Sequence, residues 1–186
     1  MFTVLSACFV VPGILELRRY DIACQPVLQK RVCEAARDNQ PERLNKLIHA
    51  GADPDSTMED ANGNMLGALT YASIEGNEQC VEVLLKCGAS PSGAGDGTSG
   101  GTTALDYVVL HNRIAIMARL LNAGANAHYV TWASTDKLVL THNYAMAELL
   151  LKAGLDRLTY DSFMDMSSKS KDTRMLSLLK KYPPAD

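Results

Sequence analysis

The sequence predicts an all-α fold, a solenoid of stacked helix-turn-helix units. Glycine recurs at the end of four apolar runs, at Gly51, Gly88, Gly124 and Gly154. Successive members of this series are 37, 36 and 30 residues apart. A period in this range is typical of repeat proteins, in which each unit packs only against its neighbours.

A second recurring position lies twelve residues before each of these glycines. It holds Asn39, Gly76, Asn112 and His142, residue types that tolerate a left-handed backbone. Such a residue is needed where one helix stops and the next begins after a tight turn. We therefore take this position as the turn of each unit.

Apolar residues on both sides of each turn have helical spacing. In the first unit the small pair Ala35 and Ala36 precedes the turn, and Leu44, Leu47 and Ile48 follow it. Positions four, five, eight and nine after a turn share one helix face. In the next three units these positions hold Cys80, Val81, Leu84, Leu85, Ile116, Met117, Leu120, Leu121, Met146, Ala147, Leu150 and Leu151. We expect each second helix to end at its glycine.

The C-terminal residues predict a fifth, capping unit. With Ser170 as its turn, Met175, Leu178 and Leu179 take the apolar positions of the second helix, and Phe163 supplies the first. Polar and charged residues surround this thin apolar face. A terminal unit has one neighbour only, so a polar outer face is expected.

The segment Gly101–Val108 reads Gly-Thr-Thr-Ala-Leu-Asp-Tyr-Val, and it fits the pattern G-x-T-P-L-H-x-A with Ala104 for proline and Asp106 for histidine. In the second unit, residues 72–77 and 81–89 fit the rest of the repeat pattern, and residues 35–54 fit it in the first unit. On these motifs the chain resembles the ankyrin repeat family over residues 28–182. The resemblance implies an ankyrin-repeat solenoid with hairpin loops, about four repeats plus a C-terminal capping unit.

This register divides the chain into an apolar N-terminal arm or cap, a repeat domain and a short tail. The predicted boundaries are 1–27 for the arm, 28–182 for the repeat domain, 183–186 for the tail, 28–56, 57–92, 93–128 and 129–156 for the four units, and 157–182 for the cap. The fourth unit departs most from the pattern, because its first helix, predicted from Ser134 to Thr141, lacks the small pair.

The N-terminal residues 1–17 are rich in apolar types, but Pro12 interrupts the run. The run is too short to span a membrane and lacks the basic start of a secretory signal. We expect it either to cap the first unit or to dock on a neighbouring protein.

Composition argues against several classes of function. A net charge of −3 gives no reason to expect nucleic-acid binding. The five cysteines form neither a disulfide framework nor a metal-ligand pattern, which favours a reducing intracellular compartment, the cytoplasm. We expect no cofactor, no metal and no small-molecule substrate.

Two loops contain patterns that imitate functional motifs. Gly97–Gly101 satisfies G-x-S-x-G, but a nucleophile elbow needs a strand before it and a helix after it on an α/β sheet. Residues 53–60 are acidic like a calcium loop, yet they lack its glycine and its final glutamate. We read both as hairpin tips of a protein that is not an enzyme.

The same acidic loop is a candidate contact for a partner. It holds Asp53, Asp55, Glu59 and Asp60, here called the acidic finger, and no basic residue occurs from Asp53 to Leu85. Such a charge distribution would steer a partner protein with a basic patch. The alternative is an ordinary solvated surface.

The resemblance places partner contacts at the hairpin tips and at the positions just before each turn. Here these positions predict an apolar ridge on the concave side, anchored by the single tryptophan. The predicted contact residues are Leu66, Ile74, Glu75, Leu110, His111, Trp132 and Leu140. Alternatively, Leu110 and Leu140 pack between units, and Trp132 fills the irregular fourth unit.

The predicted function is therefore a non-catalytic protein-binding module. An intracellular adaptor, a permanent subunit of a large complex anchored by the N-terminal arm, and a microbial effector remain open as its context.

Overall fold

The computed structural model describes residues 26–93 and 102–184, and in these segments it confirms the all-α repeat solenoid. The helices described are α1 (26–37), α2 (Pro41–His49), α3 (Ala68–Glu75), α4 (Glu78–Lys86), α5 (Ala104–Leu110), α6 (Ile114–Asn122), α7 (Trp132–Leu140), α8 (Tyr144–Ala153), α9 (Arg157–Lys169) and α10 (Thr173–Lys181). A short 3-10 helix, Ala127–Tyr129, precedes α7. Residues 1–25 of the predicted N-terminal arm, with Cys8 and Cys24, and the G-x-S-x-G segment lie outside the described residues, while residues 26 and 27 belong to α1.

The helices are arranged in two layers. Helix α3 packs on α5, α5 on α7 and α7 on α9, so the first helix of each pair contacts the first helix of the next. The second helices form the other layer in the order α2, α4, α6, α8 and α10. One apolar seam lies between the layers and continues into the cap, where Phe163 is fully buried.

The predicted turns are confirmed. Asn39, Gly76, Asn112 and His142 have φ values of 54°, 85°, 55° and 51°. The prediction of Ser170 as the fifth turn is wrong by one residue. Ser170 has a right-handed backbone, and its hydroxyl donates to the carbonyl of Ser167, while Lys171 adopts φ 56°.

The four glycines predicted to end the second helices all have positive φ, although Gly154, with φ 87° and ψ 118°, lies outside the left-handed helical region. Gly51, Gly88 and Gly124 have φ values of 96°, 89° and 94°. A Cβ atom added to any of the three would meet no heavy atom within 4 Å. Glycine is therefore required there by backbone conformation and not by lack of space.

Side chains at the turns connect successive helix pairs. The Asn77 amide donates to the carbonyl oxygens of Ala36 and Arg37, each at 2.8 Å. The Arg113 guanidinium donates to the Ile74 carbonyl at 3.2 Å. These bonds satisfy carbonyl groups at the ends of the first helices, which have no partner within their own helix.

The first inserted loop forms a two-stranded antiparallel hairpin of β1 (Thr57–Glu59) and β2 (Met65–Gly67). Met58 lies opposite Leu66 in this ladder. Gly67 then caps α3, so the hairpin leads directly into the first helix of the second unit.

The fourth unit follows the predicted register in its core but begins earlier than predicted. Leu138 and Val139 are buried at the two offsets before the turn that Ala35 and Ala36 take in the first unit, and Ser134 and Thr135 are buried one helical turn earlier. However, α7 starts at Trp132, two residues before the predicted start. Helix α9 begins earlier still relative to its turn. These N-terminal extensions add surface that α3 and α5 lack.

Candidate binding surface

The predicted ridge is exposed only in its C-terminal part. Leu110, Trp132 and Leu140 are 43%, 66% and 70% exposed. Ile74 is half-buried and packs against the core, and Leu66 is only 8% exposed. The prediction that Leu66 stands exposed at a hairpin tip is wrong, because side chains alternate along β2 and the exposed one is its neighbour Met65.

Trp132 and Leu140 lie at opposite ends of the exposed face of α7. That face also carries Ala133 and Lys137, which are exposed, and Asp136, which is half-buried. At 1.5 Å rise per residue, the backbone positions of Trp132 and Leu140 are about 12 Å apart. The helix therefore offers an apolar group at each end and a polar centre.

A cleft of about 460 Å³ lies at the N-terminal end of α7 and is called the tip cleft below. Trp132 and Leu158 form its apolar walls, and Leu158 is 83% exposed. The other lining residues are Val130, Thr131, Thr159 and Ser162. The sequence prediction missed Leu158, although an isolated leucine five residues before the core residue Phe163 was a signal that it lies off the buried face.

A second cleft, of about 500 Å³, lies at the C-terminal end of α7 and is called the turn cleft. Its lining residues are Val109, Leu110, His111, Asn112, Lys137, Thr141, His142 and Asn143. Two predicted residues, Leu110 and His111, meet here, and Leu140 immediately precedes the lining residue Thr141. Leu66 and Ile74 line neither of the two clefts.

The start of α7 is held by the buried carboxylate of Asp106. One oxygen accepts from the Thr103 amide at 2.9 Å and from its hydroxyl at 2.8 Å. The other accepts from the Thr131 amide and hydroxyl, both at 2.8 Å, and from the Ser134 hydroxyl at 2.6 Å. Five donors compensate the burial of this charge, and the three from Thr131 and Ser134 join the third unit to the fourth. Thr131 precedes Trp132, so the same bonds position the tryptophan.

Asp136 has the same offset from its turn as Asp106 but lacks these partners. Its Oδ1 atom is buried without a hydrogen-bond partner among the described residues. Burial raises the pKa of Asp136, and the Lys169 ammonium partly opposes this shift. In α9, the positions that correspond to Thr131 and Ser134 are Tyr160 and Phe163. The Tyr160 hydroxyl already donates to the Leu179 carbonyl at 2.6 Å.

His142 is oriented by the capping unit. Its Nδ1 lies 2.8 Å from Oδ2 of Asp172, a carboxylate with 3% of its side chain exposed. The Tyr144 hydroxyl donates to the same carboxylate at 3.2 Å. The His142 side chain remains 62% exposed, and His142 is one of the residues that line the turn cleft.

The acidic finger is organised by its own hydrogen bonds. Asp60 accepts from the Asn62 and Asn64 amides, each at 2.8 Å, and the bonds from Asn64 are the main cause that lowers its pKa. Asp53 accepts from the Asp55 amide at 2.9 Å, and Asp55 accepts from the Ser90 amide at 2.8 Å. Asp53, Asp55 and Glu59 are exposed, as is Glu75 on α3. These carboxylates stabilise loops and also present negative charge at the surface.

Across residues 26–93 and 102–184, no cluster of three or more His, Cys, Asp and Glu side chains is placed to hold a metal ion. None of the helices within those residues combines the length and apolar composition needed to cross a membrane.

Comparison with known proteins identifies the repeat. A family model described as ankyrin repeats (3 copies) matches residues 32–130, slightly more than half of the chain. No curated protein matches the chain. The matched span ends at Val130, directly before the lengthened α7. Trp132, Leu140 and Leu158 therefore lie beyond the residues that the family model describes. Repeats of this kind generally mediate protein–protein interaction and are typically non-catalytic.

Proposed function

Because the chain belongs to the ankyrin repeat family, we propose that it is a non-catalytic module that binds a segment of another protein along the exposed face of α7. Trp132, Leu140 and Leu158 are the observation that carries this proposal. These three large apolar side chains are each at least 66% exposed, and two of them line one cleft. Exposed apolar surface such as that shared by Trp132 and Leu158 in the tip cleft marks interaction sites.

The scaffold supports binding with little rearrangement. Asp106 joins the start of α7 to the preceding unit through three hydrogen bonds, and α9 packs along its other side. A rigid surface loses little conformational entropy when a partner binds. Tryptophan is also among the residues that most often dominate binding energy at protein interfaces.

Charge adds a direction to the proposed encounter. The exposed carboxylates Asp53, Asp55, Glu59 and Glu75 lie in the first two units, far along the stack from the cap with Lys169, Lys171 and Lys180. We propose that a basic patch on the partner is steered toward the acidic finger, while the apolar contact forms on α7.

The thiols support a reducing intracellular compartment, which we propose to be the cytoplasm. Cys33 and Cys80 are buried and free. Burial raises the pKa of Cys33 to about 12 and that of Cys80 to about 11, so both stay protonated thiols at neutral pH. They act as small core residues.

The experiment compares a double variant with a matched control. Trp132→Ala combined with Leu140→Glu removes both apolar ends of α7, and Met65→Ala removes an exposed apolar side chain on the distant hairpin. Quantitative affinity purification with the tagged chain should lose its specific partner in the double variant only. Helicity and melting temperature should stay at the wild-type values, because all three side chains are exposed.

Partner capture that is equal for the wild type and the double variant would show that α7 is not the binding surface. Loss of capture in the Met65→Ala control as well would mean that general changes in the protein, and not this face, cause the loss.

A further inference from the structure

We propose that the turn cleft selects an acidic side chain, Asp or Glu, next to an apolar residue in the bound segment. This inference rests on the proposed binding of a partner along α7 and specifies the chemistry of that partner at one end of the helix.

Two side-chain amide oxygens that line the turn cleft already accept hydrogen bonds within the protein. Oδ1 of Asn112 accepts from the Asn143 amide at 2.6 Å, and Oδ1 of Asn143 accepts from the Met146 amide at 3.2 Å. The Thr141 hydroxyl donates to the Lys137 carbonyl at 2.7 Å. Each of these bonds is internal to the protein, so the two amide oxygens are less available to an incoming donor group than unpaired oxygens would be.

Donor groups, in contrast, are available in the same lining. The Nδ2 group of Asn112 is left to donate, since its oxygen takes the bond from Asn143. The Lys137 ammonium is exposed and forms no ion pair within the part of the chain that the structure describes. His111 is exposed in the same lining. These nitrogen groups complement a carboxylate.

No carboxylate near the turn cleft is placed to neutralise the Lys137 ammonium within the part of the chain that the structure describes. No Asp or Glu is among the residues that line the turn cleft. Asp172 is the carboxylate that contacts His142, but it is buried and accepts from the Met175 amide at 2.9 Å as well as from the imidazole and Tyr144. On α7 itself, the Asp136 carboxyl is half-buried and interacts electrostatically with the Lys169 ammonium.

The exposed apolar side chains near the two clefts indicate where the acidic residue stands in the sequence of the bound segment. Leu110 lies in the cleft lining and Leu140 beside it, and both are exposed. About 12 Å of α7 separates Leu140 from Trp132, and an extended chain advances about 3.3 Å per residue. The inferred motif is therefore an apolar anchor for the tip cleft, followed or preceded at about four residues by an apolar residue adjacent to Asp or Glu.

The test is a selection of displayed random peptides on the full chain, run in parallel on three proteins. The first is the wild type. The second is Lys137→Glu, which reverses the charge of the cleft. The third is Lys46→Glu, the same charge change at an exposed lysine on α2, as the matched control.

We expect wild-type and Lys46→Glu selections to enrich Asp and Glu beside one of two apolar anchors spaced by about four residues. The Lys137→Glu selection should enrich Lys and Arg at that position. For an enriched peptide, fluorescence polarisation should show binding about fivefold weaker when its Glu is replaced by Gln, as for a solvent-accessible ion pair. Lys137→Glu should remove that difference.

The outcomes separate this inference from the function it rests on. Peptides that need Trp132 and Leu140 but have the same charge composition for Lys137→Glu and wild type would overturn the inference and leave the proposed function standing. Peptides that bind the Trp132→Ala, Leu140→Glu double variant as well as the wild type would overturn the binding function of α7, and the inference with it.

Discussion

At the scale of single residues, one repeat position shows how context decides what a carboxylate does. Asp106 and Asp136 have the same offset from their turns, yet only Asp106 is the third residue of its helix. Its side chain can therefore close a capping box with Thr103. The longer α7 moves Asp136 away from the helix start, and its buried oxygen has no partner among the described residues.

This difference predicts that the same substitution, Asp to Asn, affects stability strongly at Asp106 and little at Asp136. Asp106→Asn should lower the free energy of unfolding by about 2 kcal/mol, because an amide oxygen can serve one group of donors while its NH₂ faces the other group. Asp136→Asn should change it by less than about 0.5 kcal/mol or raise it, since burial raises the pKa of this carboxyl and disfavours its charge. Urea denaturation at neutral pH measures both. Equal losses in the two variants would contradict the argument.

At the scale of elements, the helix positions that depend on local sequence were predicted, and those that depend on distant contacts were not. The left-handed turns and the apolar second helices follow from residue types within one unit, such as Asn112 and Leu120. The early start of α7 depends on Asp106, which lies 25 residues before Thr131. Leu66 was misplaced because a hairpin precedes α3, and strand alternation overrides a count from the turn.

Only part of the candidate surface was predicted, because the repeat register locates exposed positions but not the length of a helix. Leu110, Trp132 and Leu140 were identified because the repeat register marks their positions as outward-facing. Leu158 and the tip cleft depend on the length of α9, which extends further before its turn than α3, α5 and α7 do. A register that assumes equal helices cannot reveal an extension.

The docking of α10 onto α8 predicts a specific dependence on pH. Burial by itself would raise the pKa of Asp172, but bonds from the Met175 amide, His142 and Tyr144 outweigh it and lower the pKa below its ordinary value of 3.8. A group with a lowered folded-state pKa stabilises the fold above its unfolded pKa and loses that contribution as pH falls through the folded pKa.

Wild-type stability should therefore fall more steeply than that of Asp172→Asn as pH drops below about 3.8 and through the lowered pKa of Asp172, because the variant keeps an N-cap side chain but no charge. Thermal melts across this range test the prediction. Parallel pH curves for the two proteins would show that the ionised carboxylate adds no stability.

At the scale of the whole molecule, the two-layer stack makes stability a local property. Each described helix pair packs mainly against adjacent pairs, so damage in one unit spreads weakly to distant units. The fully buried residues Leu44, in the first described pair, and Phe163, in the cap, lie at opposite ends of the seam. They permit a reciprocal test of how far cooperativity extends.

Phe163→Ala should cost about 3–5 kcal/mol within the cap, and Leu44→Ala about 2–5 kcal/mol in the first pair. Native-state hydrogen exchange should show faster exchange of α9 and α10 amides in the first variant, with α3 and α4 little changed. Leu44→Ala should accelerate exchange in α1 and α2 and leave the cap protected. Because α7 packs directly on α9, Phe163→Ala should also weaken peptide binding on α7, whereas Leu44→Ala should not. Uniform acceleration of exchange in both variants would mean that the stack unfolds as a single cooperative unit, and that the α7 surface depends on every repeat equally.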